Sequence, residues 1–447
     1  MAGSVGPPGI FKSFYGILWV FLANFGLASE SFAQIQGSAG QEGTKPFTAT
    51  VAIREGYDSN PLTQSYQSTQ DIRSSTYTSI QPSLGYNYIG LQADAALRYD
   101  FSGTYYPSLN QSYDIQYAQT FVGRYTYAVD PRTSFTLANN FLYTEQPLVD
   151  QFAQLGIAPL VQQTSTGLTS TINNLATAQA DYRVTDRLSM ITRWNNTLVY
   201  IGGDGSNSNY MNNGAFQQFR LDFTPETVGT FSFDYQLFDY DNDNTYRDNQ
   251  QASFSLGADH TFLPELFFSG RIGIQLNDNF GLADNLNLIS AGGMGSGEQE
   301  IGAFPFASIS STWNYEERSF VSAGFSMQVQ QSNTTIASDS EAYTLNLNWD
   351  HQFTEKFSVI QSFFINLAVF TPQLTQEQAA SAGIGYQGSG QQTTVTYQCK
   401  FAYQFLPYLS AELGWSYTSY GSYFDLNNGL SGSYTRNQVY LGVRGTY

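Results

Sequence analysis

The residues able to do chemistry are few, and they are regularly spaced. Lys, Arg, Asp and Glu make up 12% of the 447 residues, with two His and one Cys. Many of the charges fall on every second residue of runs that are otherwise apolar. Asp94, Arg98 and Asp100 interleave with Ala93, Ala95, Leu97, Tyr99 and Phe101. Asp350 follows Asn346 and Asn348 and opposes Leu345, Leu347 and Trp349. Glu412 falls with Ser410 and Ser416 and opposes Ala411, Leu413 and Trp415. A strand turns successive side chains to opposite faces, so each run has one wet and one apolar face. Extended along the chain, the same parity gives the wet face Arg54, Arg98, Arg124, Arg183, Arg193, Arg220, Arg271, Lys400 and Arg444. It also receives Asp94, Asp100, Asp114, Asp181, Asp222, Asp234, Asp259, Asp350 and Glu412. These sets balance. They either pair with one another and go no further, or set up a transverse field that sorts solutes by charge and dipole.

Other chemistries find little support. His260 and His351 each stand two residues before a Phe, in a slot that Tyr or Trp fills in sister segments. That is a place in an aromatic girdle. There is no Gly-rich phosphate loop and no His/Cys cluster at metal spacing, so neither an enzyme nor a cofactor is expected. Asp239, Asp241 and Asp243, with Asn242 and Asn244, supply oxygen ligands of the kind Ca²⁺ takes. They lack the Gly and distal Glu of an EF-hand loop. A net charge of −18 excludes nucleic acid as a natural partner.

The elements that must carry these residues are strands. Aromatics reach 16%, with 32 Tyr, 34 Phe and 40 Gly, and beyond the N-terminus no apolar run is long enough for a membrane helix. Low charge with abundant Tyr, Phe, Asn, Gln, Ser and Thr fits a transmembrane antiparallel β-barrel, lipid-facing outside and polar inside. A charge facing lipid at mid-membrane costs about 2–4 kcal/mol, so the wet face is the lumen. Short Pro-, Asp-, Glu- and Thr-rich turns recur after aromatic strand ends, at 130–133, 184–187, 224–227, 263–265, 315–318, 354–356 and 406–408, with an eighth at Gly90. Segments near 46–57, 73–89, 91–105, 112–128, 134–145, 169–183, 188–201, 213–223 and 229–240 read as strands. So do 251–262, 266–277, 301–314, 319–331, 342–353, 357–370, 391–405, 409–421 and 434–447. That makes about 18, or 16 if 169–183 and 213–223 are misread. Either count leaves room for a water-filled channel.

The N-terminus reads as an exported protein's. An apolar run from Phe14 to Leu27 and the small residues of Ser31-Phe32-Ala33 predict a signal peptide over 1–33, then a flexible segment over 34–45 and the barrel over 46–447. Cys399 lies between Tyr397 and Phe401 on the apolar face and is expected to act as a small apolar residue. The long connections carry most of the acidic excess, Asp58, Glu145, Asp150, Asp204, Asp241, Asp248, Asp278 and Glu341 among them. An acidic mouth gathers cations, and divalent ions there could bridge to lipopolysaccharide. The connection 145–167 is apolar, with Leu148, Phe152, Leu155 and Leu160. It is expected to fold inward as a constriction loop, setting Glu145, Asp150 and Phe152 near Arg124, Arg193 and Arg220.

Two segments carry resemblances. The last residues, Val439 to Tyr447, alternate and end on an aromatic, and resemble the closing strand and assembly signal of bacterial outer-membrane β-barrels. That implies the assembly machinery as a partner, with Tyr447 as the signal. The element Gly56-Tyr57-Asp58-Ser59-Asn60-Pro61 resembles the opening of the type 2 family of bacterial β-barrel porins. The resemblance implies an outer-membrane pore without catalytic residues, some members being associated with exopolysaccharide export. The expected function is passive diffusion of small hydrophilic solutes. A polysaccharide exit, or a structural or adhesive barrel plugged by its loops, is the alternative.

Overall fold

A computed structural model describes residues 46–63, 74–109, 114–145, 170–202, 209–241, 248–278, 302–331, 339–370, 389–424 and 433–447. The expected signal peptide, the 34–45 segment and most of loop 145–167, including Asp150 and Phe152, lie outside them. Among the described residues there are eighteen strands. These are β1 (Phe47–Asp58), β2 (Ser75–Ile89), β3 (Ala93–Tyr105), β4 (Ile115–Asp130), β5 (Thr133–Thr144), β6 (Thr171–Arg183), β7 (Leu188–Ile201), β8 (Tyr210–Asp222) and β9 (Thr227–Tyr240). The second half comprises β10 (Asn249–Leu263), β11 (Leu266–Asp278), β12 (Gly302–Glu316), β13 (Ser319–Gln331), β14 (Asp339–Thr354), β15 (Phe357–Phe370), β16 (Gly390–Leu406), β17 (Leu409–Phe424) and β18 (Ser433–Thr446). Each falls on an expected segment, including the two least patterned ones, so the sixteen-strand count does not hold.

Every strand pairs antiparallel with its sequence neighbours, and β1 pairs with β18 from Thr50↔Thr446 to Asp58↔Gln438. The sheet is therefore a closed ring with no free edge, which is what lets strands cross hydrocarbon with their backbone groups satisfied. Val51, Ile53, Leu84, Ile272, Leu413 and Leu441 stand exposed on its outside. Such a surface is stable only against lipid, so the barrel spans a membrane.

The turns at one end share a local chemistry. The Thr hydroxyls of Thr185, Thr224 and Thr354 accept hydrogen bonds from the backbone N–H groups two and three residues on, and Asp130 accepts from the Arg132 N–H. A side-chain acceptor that holds the turn backbone explains the preference for Thr and Asp at these positions.

The β12–β13 seam departs from regularity. β11 pairs with β12 up to Asn277↔Gly302, but the β12–β13 ladder begins only at Ala307↔Met327. Extending that register would put Pro305 opposite Val329, and proline has no N–H to give. The gap is bridged from the luminal side. Val329 N–H donates to Gln275 Oε1 (3.0 Å) and Gln275 Nε2 donates to the Val329 carbonyl (3.1 Å), so one side-chain amide stands in for a strand residue.

Polar residues also occur on the lipid side, joined in pairs. Asn139 Nδ2 donates to Asn174 Oδ1 (3.0 Å), Asn196 Nδ2 to Asn213 Oδ1 (2.9 Å), and the Thr192 hydroxyl to Gln217 Oε1 (2.7 Å). Glu55, near the outer end of β1, also faces outward and accepts from the Thr78 hydroxyl (2.7 Å).

Candidate functional site in the barrel lumen

Strand parity places the charged residues foreseen for the lumen on the inner face, and cross-strand register groups them. Glu412, Gly442 and Arg54 are successive partners across β17, β18 and β1. Because Gly442 has no side chain, Arg54 lies across it. A Cβ there would meet Arg54 Cγ at 2.7 Å. Arg54 Nη2 thus reaches Glu412 Oε2 at 2.8 Å, and Arg444 Nε approaches Glu412 Oε1 at 2.6 Å. Lys400, on the neighbouring β16, also faces inward and interacts electrostatically with Glu412 and Asp350. One buried carboxylate therefore answers three cations.

A second group centres on Asp259. Arg220 Nη2 lies 3.3 Å and Arg271 Nη2 3.7 Å from its carboxylate, and the Ser269 hydroxyl donates to it at 2.7 Å. Next to it, the Arg193 guanidinium stacks 4.3 Å over the Phe216 ring. Arg98 and Asp100 pair at 2.9 Å on β3. Arg124 is on the inner face of β4, and Asp222 sits at the turn end of β8. The foreseen wall residues are thus brought together as separate clusters spread around the ring.

One expectation changes and another stays open. Glu145 was expected to face the basic wall. Instead it continues the outward parity of β5, accepting from the Tyr143 hydroxyl (2.7 Å) and the Tyr117 N–H (3.2 Å). Asp239 is exposed on the outer face of β9, and Asp241 accepts from Asn209 Nδ2 (3.1 Å). Asp243 lies outside the described residues, among which no group of three metal-ligating side chains occurs. Both His side chains stand on the outer face among aromatics. His351 stacks on Trp349 and Tyr315 and hydrogen-bonds the Tyr315 hydroxyl at 2.8 Å; His260 meets Phe262 edge-on. Cys399 is buried on that face, on the strand register next to Trp415.

Asp58 was read from sequence as a loop carboxylate opening the first long connection. It is fully buried and gripped by Arg436, which is 2% exposed. Arg436 Nε lies 3.1 and 3.0 Å from its two oxygens and Nη2 2.6 Å from Oδ2. Gln438 Nε2, the Tyr106 hydroxyl and the Asn60 N–H also donate to it. Tyr106 lies just past β3, and burial, against the pull of Arg436, raises its phenol well above the usual tyrosine range, keeping it a donor. Arg436 escaped the sequence reading because it opens its strand beside a loop. Its shared parity with Arg444 was the available signal.

Tyr447 ends the chain on β1. Its N–H donates to the Ala49 carbonyl at 2.8 Å, and its ring is 82% exposed on the outer face.

No protein family's sequence profile matches the chain, and no curated protein matches it. Among solved structures, the outer membrane protein OpdK of Pseudomonas aeruginosa is similar at 9% identity and a TM-score of 0.42, over 90% of this chain and 98% of that one. The FrpB iron transporter of Neisseria meningitidis is similar at 10% identity and a TM-score of 0.41, over 90% of this chain and 82% of that one. The siderophore receptor PirA of P. aeruginosa is similar at 9% identity and a TM-score of 0.40, over 90% and 81%. Likeness this distant carries no argument about function; the chain's own ring of strands establishes the membrane-spanning barrel.

Proposed function

We propose that the barrel is an outer-membrane channel through which small hydrophilic solutes diffuse passively. The observation that carries this reading is an apolar outer face around an inner wall of paired charges, on a ring of eighteen strands. A ring of that size is wide enough to leave an aqueous passage. No covalent step and no cofactor enters the reading: solutes move down their gradients, and the wall clusters supply the transverse field. The exported N-terminus and the aromatic closing strand support delivery to the outer membrane through its assembly machinery. The acidic outer connections suit divalent-ion bridges to lipopolysaccharide.

The test is single-channel recording in planar bilayers with measurement of ion selectivity. Stepwise ohmic openings of the folded protein are expected. A folded barrel that inserts and passes no current would sink the reading in favour of a plugged structural barrel.

A further inference from the structure

The inner wall holds a cavity unlike the charge clusters. It spans the luminal faces of β6 to β13 and measures about 350 Å³, at the small end of the range of about 300–1,000 Å³ for small-molecule sites. Its lining is dominated by amides, among them Asn212, Gln236, Gln251, Gln275, Gln328 and Gln330. Ser232, Ser253, Ser255 and Ser308 add hydroxyls, and Phe216 and Phe306 add aromatic faces.

The amides are held in place by one another. Asn212 Nδ2 donates to Gln236 Oε1 (3.0 Å), Gln275 Nε2 to Gln251 Oε1 (3.0 Å), and Gln218 Nε2 to the Ser232 hydroxyl (3.1 Å). Gln275 is fixed further by its two bonds to the Val329 backbone. Pairing is incomplete. Gln251 Nε2 and Asn212 Oδ1, on residues only 6% exposed, have no hydrogen-bond partner among the described residues. A buried donor and a buried acceptor left unmade are costly unless water or a bound solute completes them, so both are available to a solute that displaces water.

We propose that this cavity is a binding subsite for a neutral saccharide, an inference that rests on the channel reading above. The charges lining it are few beside the amides and hydroxyls: Arg193 is stacked on Phe216, Arg271 is turned to Asp259, and Asp234 is the one lining carboxylate. An amide both donates and accepts, and so does a sugar hydroxyl. A run of amides and serines therefore matches a row of hydroxyls, whereas an ion would need donors or acceptors alone. The ring of Phe306 suits the apolar C–H face of a sugar ring, while Phe216 carries Arg193 on one of its faces. The volume suits a short saccharide held in transit and released again, and binding weak enough to leave is what conduction requires.

The experiment adds neutral trisaccharides built from glucose, galactose or mannose to the full-length protein in planar bilayers. Polyethylene glycol of matched size is the control. Saturable, transient blockade by at least one trisaccharide and none by the polymer is expected. Gln251→Ala and Gln328→Ala, each checked for a folded, heat-modifiable band, should weaken that blockade about tenfold. Gln398→Ala, on β16 outside the cavity lining, should not. Equal blockade by the polymer, no blockade by any trisaccharide, or blockade unchanged in both cavity variants would overturn the proposal. If the protein conducts no current, the channel reading fails by itself. Calorimetry of the same sugars with the detergent-solubilised barrel and the two variants then decides the subsite alone, absence of binding overturning it.

Discussion

Glu412 shows how much one luminal side chain governs. It is 3% exposed and is the shared counter-charge of Arg54 and Arg444, with Lys400 in its field. Glu412→Gln leaves those cations without it. Breaking a buried pair from one side typically costs about 3–5 kcal/mol, so the variant should unfold at lower denaturant. Where it folds, its reversal potential in a salt gradient should move toward anions. An unmoved reversal potential would mean that these cations do not face the conducting path. The inward placement of Glu412, Arg54 and Arg444 was legible from alternation alone. Their partnership was not, because it depends on register across three strands and on the space left by Gly442, neither of which a single segment reveals.

The strands were legible nearly in full, since a period of two marks them and aromatic ends followed by Thr- or Asp-bearing turns bound them. What stayed hidden is where a strand breaks its own rule. Asn139 and Asn174 sit on the lipid side of β5 and β6, which alternation alone counts as errors, and only the fold shows them bonded to each other. Pro305 likewise gives no hint that Gln275, thirty residues earlier in chain, completes the wall beside it. The paired amides make a prediction. Asn139→Leu or Asn174→Leu alone orphans the partner and should cost about 1–3 kcal/mol, read from urea unfolding in lipid vesicles. The double substitution should recover most of the loss, since removing both partners of a hydrogen bond is nearly neutral. Additive losses would show that the amides do not depend on each other.

Over the whole molecule the charge is −18, while the inward charges given by strand parity balance nine against nine, so the excess sits elsewhere. At the outer ends of the strands Glu145, Asp241, Asp248 and Glu341 accept hydrogen bonds from the neutral groups of Tyr143, Asn209, Tyr240 and Tyr343, which leaves their charge uncancelled. The channel should prefer cations at 0.01 M salt, where the Debye length is about 30 Å, and lose that preference near 1 M, where it is about 3 Å. Burial, and secondarily Asp239, push the Asp248 carboxyl above the ordinary range, opposed by the Tyr240 N–H. A raised carboxyl takes up its proton first as pH falls, so the cation preference should begin to fade before ordinary carboxylates titrate. Anion preference at low salt and neutral pH would contradict an acidic mouth. The grip of Arg436 on Asp58 has a consequence in time as well. It joins positions 378 apart in the chain, and the ring cannot close until both exist side by side. Loop-closure entropy must be met before that contact returns anything, which makes sealing the first strand to the last the natural late event of folding. Arg436→Met should therefore slow the appearance of the compact, heat-modifiable band after dilution from urea into vesicles. Arg98→Met, whose partner Asp100 is two residues away, should leave that rate alone. Equal rates in the two variants would place the slow step before the ring is sealed.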